Sequence, residues 1–154
     1  DEDVEMTNMI KQSIDITPLK CVGRKVDSVS FSGGSVPENG ETVSEGAFSL
    51  SNSIVGQGEG EDGTTHKQLA MTLKLEPRDK ADGYYGMELS VSGLYSAKDV
   101  ADEDQFNALV LSVGASDLYA YAKRIAETLA SGGVRGDLNL PILTFGLDGG
   151  SSAL

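Results

Sequence analysis

The sequence contains one cysteine, Cys21, and one histidine, His66. A thiol next to an imidazole can act as a nucleophile with its base, provided that a third group orients the imidazole. Cys21 lies in an apolar stretch, His66 follows a glycine-rich polar stretch, and the pattern indicates no third group. We therefore interpret Cys21 as a small core residue and His66 as an exposed loop residue, and two such ligands cannot fill a tetrahedral zinc site.

An acidic loop, GEGEDG at 58–63, is the next candidate for chemistry. Its carboxylates could bind Ca²⁺, but it has neither the alternating oxygen ligands nor the distant bidentate glutamate of an EF-hand. It does not read as a phosphate-binding loop, because no G-K-S/T follows its glycines and its acids would repel phosphate. We interpret it as a solvated loop. The sequence thus predicts no enzyme, no metal site and no cofactor.

The charge balance of the chain limits its partners. The 24 acidic and 12 basic residues give a formal charge of −12, which opposes binding to nucleic acid. An acidic surface favours solubility and basic partners, including unfolded segments rich in Lys and Arg. The chain has no apolar stretch approaching the ~20 residues of a membrane span and no signal-like start, so we expect no membrane insertion. A single cysteine fits a reducing compartment, and a cytoplasmic location is expected.

The elements that position these residues begin with strands, because apolar and polar residues alternate over much of the first hundred positions. The clearest runs are FSLSNSIV at 48–55, QLAMTLKLE at 68–76 and YYGMELSVSGLY at 84–95, separated by turn-forming stretches at 56–65 and 77–83. One solvent-exposed face and one buried face are typical of an antiparallel sheet. In the run from Leu19 to Phe31 the apolar phase shifts, which predicts a bulge near Gly23. The polar stretch 32–46 is predicted to be a mobile loop.

Helical spacing replaces this alternation after Tyr95. Acids at 99–104 precede apolar residues at helical spacing, which predicts a helix start, and Gly114 and Ser116 interrupt the pattern. A second helical segment ends at Gly132 and Gly133. We predict an α+β fold in which a C-terminal helix packs on one face of a four-stranded antiparallel sheet. The prediction allows for a break in this helix near Gly114. Residues 1–154 are predicted to form one domain, with flexible termini at 1–8 and 146–154.

The helix and the apolar segment after it resemble the C-terminal region of SecB-like protein-export chaperones. In that family an aromatic-x-Tyr-Ala-Arg helix ends in glycine and leads to Leu-Asn-Leu, proline and Asn-Phe. The residues that match here are Tyr119, Tyr121, Ala122, Lys123, Gly132, Leu138, Asn139, Leu140 and Phe145, and MELSVSGLY at 87–95 looks like the family's last strand. The order of four strands and a helix is also that of the family.

The resemblance implies an ATP-independent holdase that binds unfolded or partly folded polypeptide in apolar grooves and assembles as a homo-oligomer, a dimer of dimers. It also implies docking on the SecA translocase motor through an acidic sheet face, for which the candidates are Asp27 and Glu88. Ser28 and Ser32 stand where family members carry acids, which argues against motor docking. Two alternatives therefore stay open: a chaperone dedicated to one client, such as the antitoxin of a toxin–antitoxin–chaperone module, and a structural or assembly subunit that only shares the fold.

Large, adaptable aromatic, leucine and methionine side chains suit the capture of varied apolar segments. The candidates for client binding are Met71, Tyr84, Tyr85, Met87, Tyr119, Leu143 and Phe145. The candidates for a helix that pairs between subunits are Leu118, Tyr121, Ala122, Ile125 and Leu129. We expect the segment from Leu138 to Phe145 to fold back beside the sheet and form one wall of a client groove.

Overall fold

The structure is a computed structural model that describes residues 19–32, 46–61, 63–77, 86–97, 102–132, 138–146 and 151–153. Four strands come first: β1 (Leu19–Ser32), β2 (Gly46–Glu59), β3 (Thr65–Pro77) and β4 (Gly86–Ala97). A helical region of 28 residues follows, made of α1 (Glu103–Leu109), a π-helical turn (Val110–Gly114) and α2 (Ala115–Ala130). Two short strands come last, β5 (Leu143–Phe145) and β6 (Ser151–Ala153). The predicted α+β class and element order are confirmed.

The first four strands form one antiparallel sheet in the order β1-β4-β3-β2. The helical region covers one face of the two central strands, where Leu69, Leu73, Leu89 and Val91 are completely buried. Alternate residues of these strands therefore form the core. β1 and β2 are the two edges of the sheet, and each pairs with one neighbour among the described strands.

Two bulges interrupt the pairing of β1 with β4. The register shifts between Cys21 and Gly23, which confirms the predicted bulge, and again between Val26 and Ser28, which was not predicted. Each shift inserts one residue and reverses which neighbours face the helix. As a result Arg24 and Val26 point to the helix side together with Cys21 and Val29, although a regular alternation would place them on the opposite face.

The hairpin between β2 and β3 is tighter than the sequence predicts. The ladder continues to the pair Glu59 and Thr65, so the turn occupies only 60–64 rather than the predicted 56–65. Gly63 has a φ of 77°, a conformation that glycine adopts without strain. His66, predicted to be a loop residue, instead lies in β3 opposite Ser96 of β4.

The helical region starts after the acidic residues, as predicted from the sequence, and it is not broken at Gly114. The Asp102 carboxylate accepts a hydrogen bond from the amide of Gln105 at 2.7 Å, which caps α1. Around Gly114 the chain forms a π-helical turn, in which the Ser112 hydroxyl donates to the Ala108 carbonyl at 2.6 Å. Gly114 is buried, and a Cβ atom at this position would make ordinary contacts with Leu19 and Tyr95, at 3.5 and 3.6 Å, so the turn faces the sheet without requiring a glycine.

A polar link joins the edge strand β1 to the helix. The Arg24 guanidinium donates to both carboxylate oxygens of Asp117, at 2.8 and 2.6 Å, and the Tyr95 hydroxyl donates to the same carboxylate at 2.8 Å. Burial, followed by the hydrogen bond to Asp117, raises the pKa of Tyr95. The Tyr95 ring lies over Gly93, where a Cβ atom would sit 2.6 Å from a ring carbon, so only glycine fits there without a shift of the ring.

The pKa of Asp117 reflects two opposing causes. Burial would raise it, but the hydrogen bonds from Arg24 and Tyr95 and the Arg24 charge outweigh burial and lower it. A carboxylate with a lowered pKa in the folded state stabilises that state at neutral pH. This stabilisation is lost as the pH falls through the folded-state pKa.

We predict that Asp117→Asn lowers the free energy of unfolding by about 1–2 kcal/mol at neutral pH, since hydrogen bonds to a charged, partly exposed group are weakened. The difference from the wild type should shrink at an acidic pH below the lowered pKa of Asp117, where this group becomes neutral. Urea unfolding at the two pH values checks this. Glu76→Gln, which alters an exposed pair with Lys74, is the control. An equal loss at both pH values would contradict the assignment.

Candidate functional site

Cys21 and His66 lie on opposite faces of the sheet. Cys21 pairs with Tyr95, whose side chain faces the helix, whereas His66 pairs with Ser96, whose side chain has the opposite orientation. Burial raises the pKa of the Cys21 thiol and so disfavours the nucleophilic thiolate. This geometry does not form a nucleophile and base. In the described part of the chain there is also no group of three or more His, Cys, Asp or Glu side chains that could hold a metal ion.

The helical region leaves one flank of the sheet incompletely covered. On β2, Phe48, Leu50 and Ile54 face the helix side and pack against the core, but all three are only half-buried. β2 and β5 both contact the π-helical turn, so Leu143 and Phe145 of β5, also half-buried, lie next to the same turn. We call these five residues the flank surface.

β2 also offers an open strand edge beside the flank surface. It is 14 residues long, and within the described sheet it pairs with β3 alone. From Gly46 to Gly58 it has no charged residue, whereas β1 carries Lys20, Arg24, Lys25 and Asp27 and two bulges. Charges and bulges are the devices by which edge strands avoid pairing with other chains. β1 is therefore protected, whereas β2, which has one bulge between Ile54 and Gly56, is open to a further strand from Gly46 to Ile54.

The segment that follows the helix, residues 138–146, is called the tail. It runs beside α2, with Leu140 buried and Leu138, Leu143 and Phe145 packed against the core, while Asn139, Ile142 and Thr144 are exposed. β5 of the tail pairs with β6, which lies within the segment predicted to be a flexible terminus. The tail is therefore an extended apolar segment that binds through alternate side chains.

Two polar contacts hold the tail on the helix. The Tyr119 hydroxyl donates to the Pro141 carbonyl at 2.6 Å, and the Leu140 amide donates to the Glu127 carboxylate at 3.3 Å. The rings of Tyr119 and Phe145 are 5.9 Å apart between centroids, with an angle of 58° between their planes. Burial, with the Glu127 charge added, raises the pKa of Tyr119 to about 12. Tyr119 is therefore a neutral donor at physiological pH.

The predicted client-binding residues occupy different environments. Met71, Met87 and Tyr119 are 1%, 3% and 4% exposed, so they belong to the core of the free protein. Leu143 and Phe145 are half-buried on the flank surface. Tyr84 and Tyr85 lie outside the described residues. In the free protein only Leu143 and Phe145 of this set are available at the surface of the described chain.

The two predicted docking acids each lie near a lysine. Asp27 accepts a hydrogen bond from Ser92 and forms an ion pair with Lys25 at 3.5 Å. Glu88 is exposed and lies opposite Lys74 on β3. The face that carries both acids is otherwise rich in hydroxyl groups, such as the hydrogen-bonded pair of Thr72 and Ser90. Each acid therefore has a basic neighbour on an otherwise polar face.

The predicted pairing stripe of the helix points mainly into its own subunit. Leu118 and Ala122 are completely buried, and Tyr121, Ile125 and Leu129 are half-buried against the same core. The exposed side of α2 carries Ser116, Ala120, Arg124 and Thr128. No helix in the described part of the chain is long and apolar enough to cross a membrane.

Sequence reasoning missed two functional features. The apolar residues of β2 were recognised as one face of a strand, but they were not included among the candidates for binding. Their alternation with Ser49, Ser51 and Ser53, without any charge, was the available signal. The anchoring roles of Tyr119 and Glu127 were also missed, because the pairing of a helix with a later extended segment has no local signature.

No family model matches the chain, and no curated protein does. Among solved structures, the fold is similar to that of Rv1957, a SecB-like chaperone of Mycobacterium tuberculosis, solved in complex with a ChAD peptide from the antitoxin HigA1 (Rv1956). The TM-score is 0.56, with 82% of this chain and 91% of that chain covered at 13% identity. The chain therefore has the SecB-like fold. At this identity its function has to be argued from its own surface.

Proposed function

We propose that this protein is an ATP-independent holdase that binds unfolded polypeptide on the flank surface and along the open edge of β2. The observation that carries the proposal is the combination of the two: a half-buried apolar strip next to a strand edge that has neither a charge nor a bulge from Gly46 to Ile54. An extended client can place alternate apolar side chains on the strip while its main chain pairs with β2. Leu143 and Phe145 border the strip on the tail side.

The fold supports the same proposal. A structural relative with the SecB-like fold binds a peptide from an antitoxin, which favours a polypeptide ligand here. Holding unfolded chains by mass action requires no nucleotide, because the holdase sequesters the unfolded state in proportion to its affinity. The formal charge of −12 adds a preference for segments that contain Lys and Arg.

The same comparison favours a second, narrower candidate, a chaperone dedicated to one client such as an antitoxin. The two candidates differ in the range of clients that they bind, and they can be distinguished by testing several clients. Dilution of unrelated denatured proteins into nucleotide-free buffer should give less light scattering in the presence of a general holdase. Suppression restricted to one partner would favour the dedicated chaperone. A stable complex with a folded partner, and none with unfolded chains, would indicate a structural subunit.

We predict that Leu50→Asp weakens client binding by about tenfold, because it places a charge on the strip where an apolar client side chain would be desolvated. Ser51→Asp adds the same charge to the next residue, on the opposite face of the sheet, and should leave the affinity within about twofold. Far-ultraviolet circular dichroism and the melting temperature check that both variants fold. If Leu50→Asp unfolds the protein, Phe48→Ser replaces it as the milder variant. Equal affinities for all variants would exclude the strip as the binding surface.

Main-chain pairing with β2 gives a separate prediction. N-methylation of every second residue of a client peptide removes the amide donors on one side of the extended chain. Methylation of the alternate set of amides that faces β2 should reduce the affinity by about tenfold or more, since each hydrogen bond contributes ~1 kcal/mol. Methylation of the other set, whose amides point to solvent, should reduce the affinity much less. Titration calorimetry with the two peptides measures the difference, and equal losses in both phases would rule out strand addition.

We also propose that the protein is a homo-oligomer, in which the copies meet through β1. Val26 and Val29 on the helix side of β1 are 41% and 50% exposed, and they lie at the edge opposite to the flank surface. The buried state of Leu118 and Ala122 favours β1 over the predicted helix stripe. A contact of this kind would leave the proposed client surface free.

The expected mass by light scattering is a multiple of the 16.1 kDa chain, with four copies if the assembly is a dimer of dimers. Val29→Lys should lower this mass by placing like charges at the contact. Val55→Lys is the matched control, because Val55 is a similarly exposed valine on the other edge strand. A single-chain mass for the wild type, or an equal effect of both substitutions, would contradict the β1 contact.

A further inference from the structure

The tail has the properties of the ligand that the proposed function assigns to this protein. It is extended and apolar, and it buries alternate side chains while the others face solvent. It lies on Tyr119, an aromatic residue that is 4% exposed beneath it. A client could reach Tyr119 only if the tail moved away.

The attachment of the tail is weak compared with that of the sheet. Its described contacts with α2 include side-chain packing and the two polar contacts with Tyr119 and Glu127. Its strand β5 belongs to a two-stranded sheet of three residues per strand. Such a small sheet is at best marginally stable by itself. Segments with few backbone bonds to the core open at a lower free energy than the rest of a protein.

We propose that the tail is an autoinhibitory latch that occupies the apolar surface around Tyr119 in the free protein and is displaced by the client. The bound client then contacts the β2 residues of the flank surface and the uncovered surface around Tyr119, in place of Leu143 and Phe145. This inference rests on the proposed holdase function. The apparent affinity for a client is then the intrinsic affinity multiplied by the fraction of molecules whose tail is open. Loosening the tail therefore raises client affinity. If the tail were instead a fixed wall of the groove, loosening it would lower client affinity.

The opposite signs of these two expectations define the experiment. Tyr119→Phe removes the hydrogen bond to Pro141 but keeps the ring, and Glu127→Ala removes the acceptor of the Leu140 amide. Each loss of one hydrogen bond should increase the open fraction about fivefold. Client affinity, measured with a fluorescent denatured client, should rise by about the same factor. Hydrogen exchange at the Leu140 amide should become about fivefold faster, and the core strands should be unchanged.

Two matched controls separate the latch from general destabilisation. Tyr121→Phe removes a hydroxyl from the same helix without touching the tail contacts. Lys123→Ala breaks the ion pair with Glu127, 3.7 Å long, but leaves Glu127 free to accept from Leu140. Both controls should bind the client like the wild type. In addition, client binding to the wild type should accelerate exchange at the Leu140 amide.

Each alternative result has a distinct meaning. If Tyr119→Phe and Glu127→Ala bind client more weakly, or with unchanged affinity despite faster tail exchange, the latch is excluded while the holdase function stands. If the variants bind a client that the wild type does not bind, the latch is supported. If neither the wild type nor the variants bind any client, both the latch and the holdase function are wrong.

Discussion

The ion pair between Arg24 and Asp117 determines how the helix lies on the sheet. It joins an edge strand to the first turn of α2 through two hydrogen bonds, and the Tyr95 hydroxyl adds a third from the central strand β4. Two-point contact between a guanidinium and a carboxylate fixes orientation as well as distance. The helix is therefore held towards the β1 side at this point, and it is the π-helical turn that contacts β2.

The two edges of the sheet consequently have different chemistry. β1 is charged and bulged, and it is tied to the helix through Arg24. β2 is uncharged from Gly46 to Gly58 and has one bulge, and its apolar side chains on the helix side are only half-buried. The net charge of −12 disfavours association of two copies through the β2 edge, and under the proposed function it attracts basic unfolded segments.

Much of this architecture could be predicted from the sequence, and the failures have physical reasons. Alternation and helical spacing identified the sheet, the helix and the bulge near Gly23, because each has a local signature. The second bulge, near Asp27, could not be located, since the phase of a bulged strand becomes defined only against its partner. The link from Arg24 to Asp117 spans 93 positions and depends on that phase. Gly114 indicated an irregular helix, but whether it breaks or widens depends on Leu19 and Tyr95, which contact it from the sheet.

The site was harder to predict than the fold because the same residue types serve both. Leucine, tyrosine and methionine form the core and would also bind a client, and only the exposed fraction distinguishes them. Met71 and Met87 turned out to be core in the free protein, whereas Phe48 and Leu50 lie at the surface with an equally apolar pattern. A surface that binds unfolded chains is apolar and prone to non-specific association. Covering part of it with the protein's own chain reduces the apolar area exposed in the free protein. In the proposed latch, the tail provides such cover, and its polar contacts with Tyr119 and Glu127 are exchanged for contacts of the client.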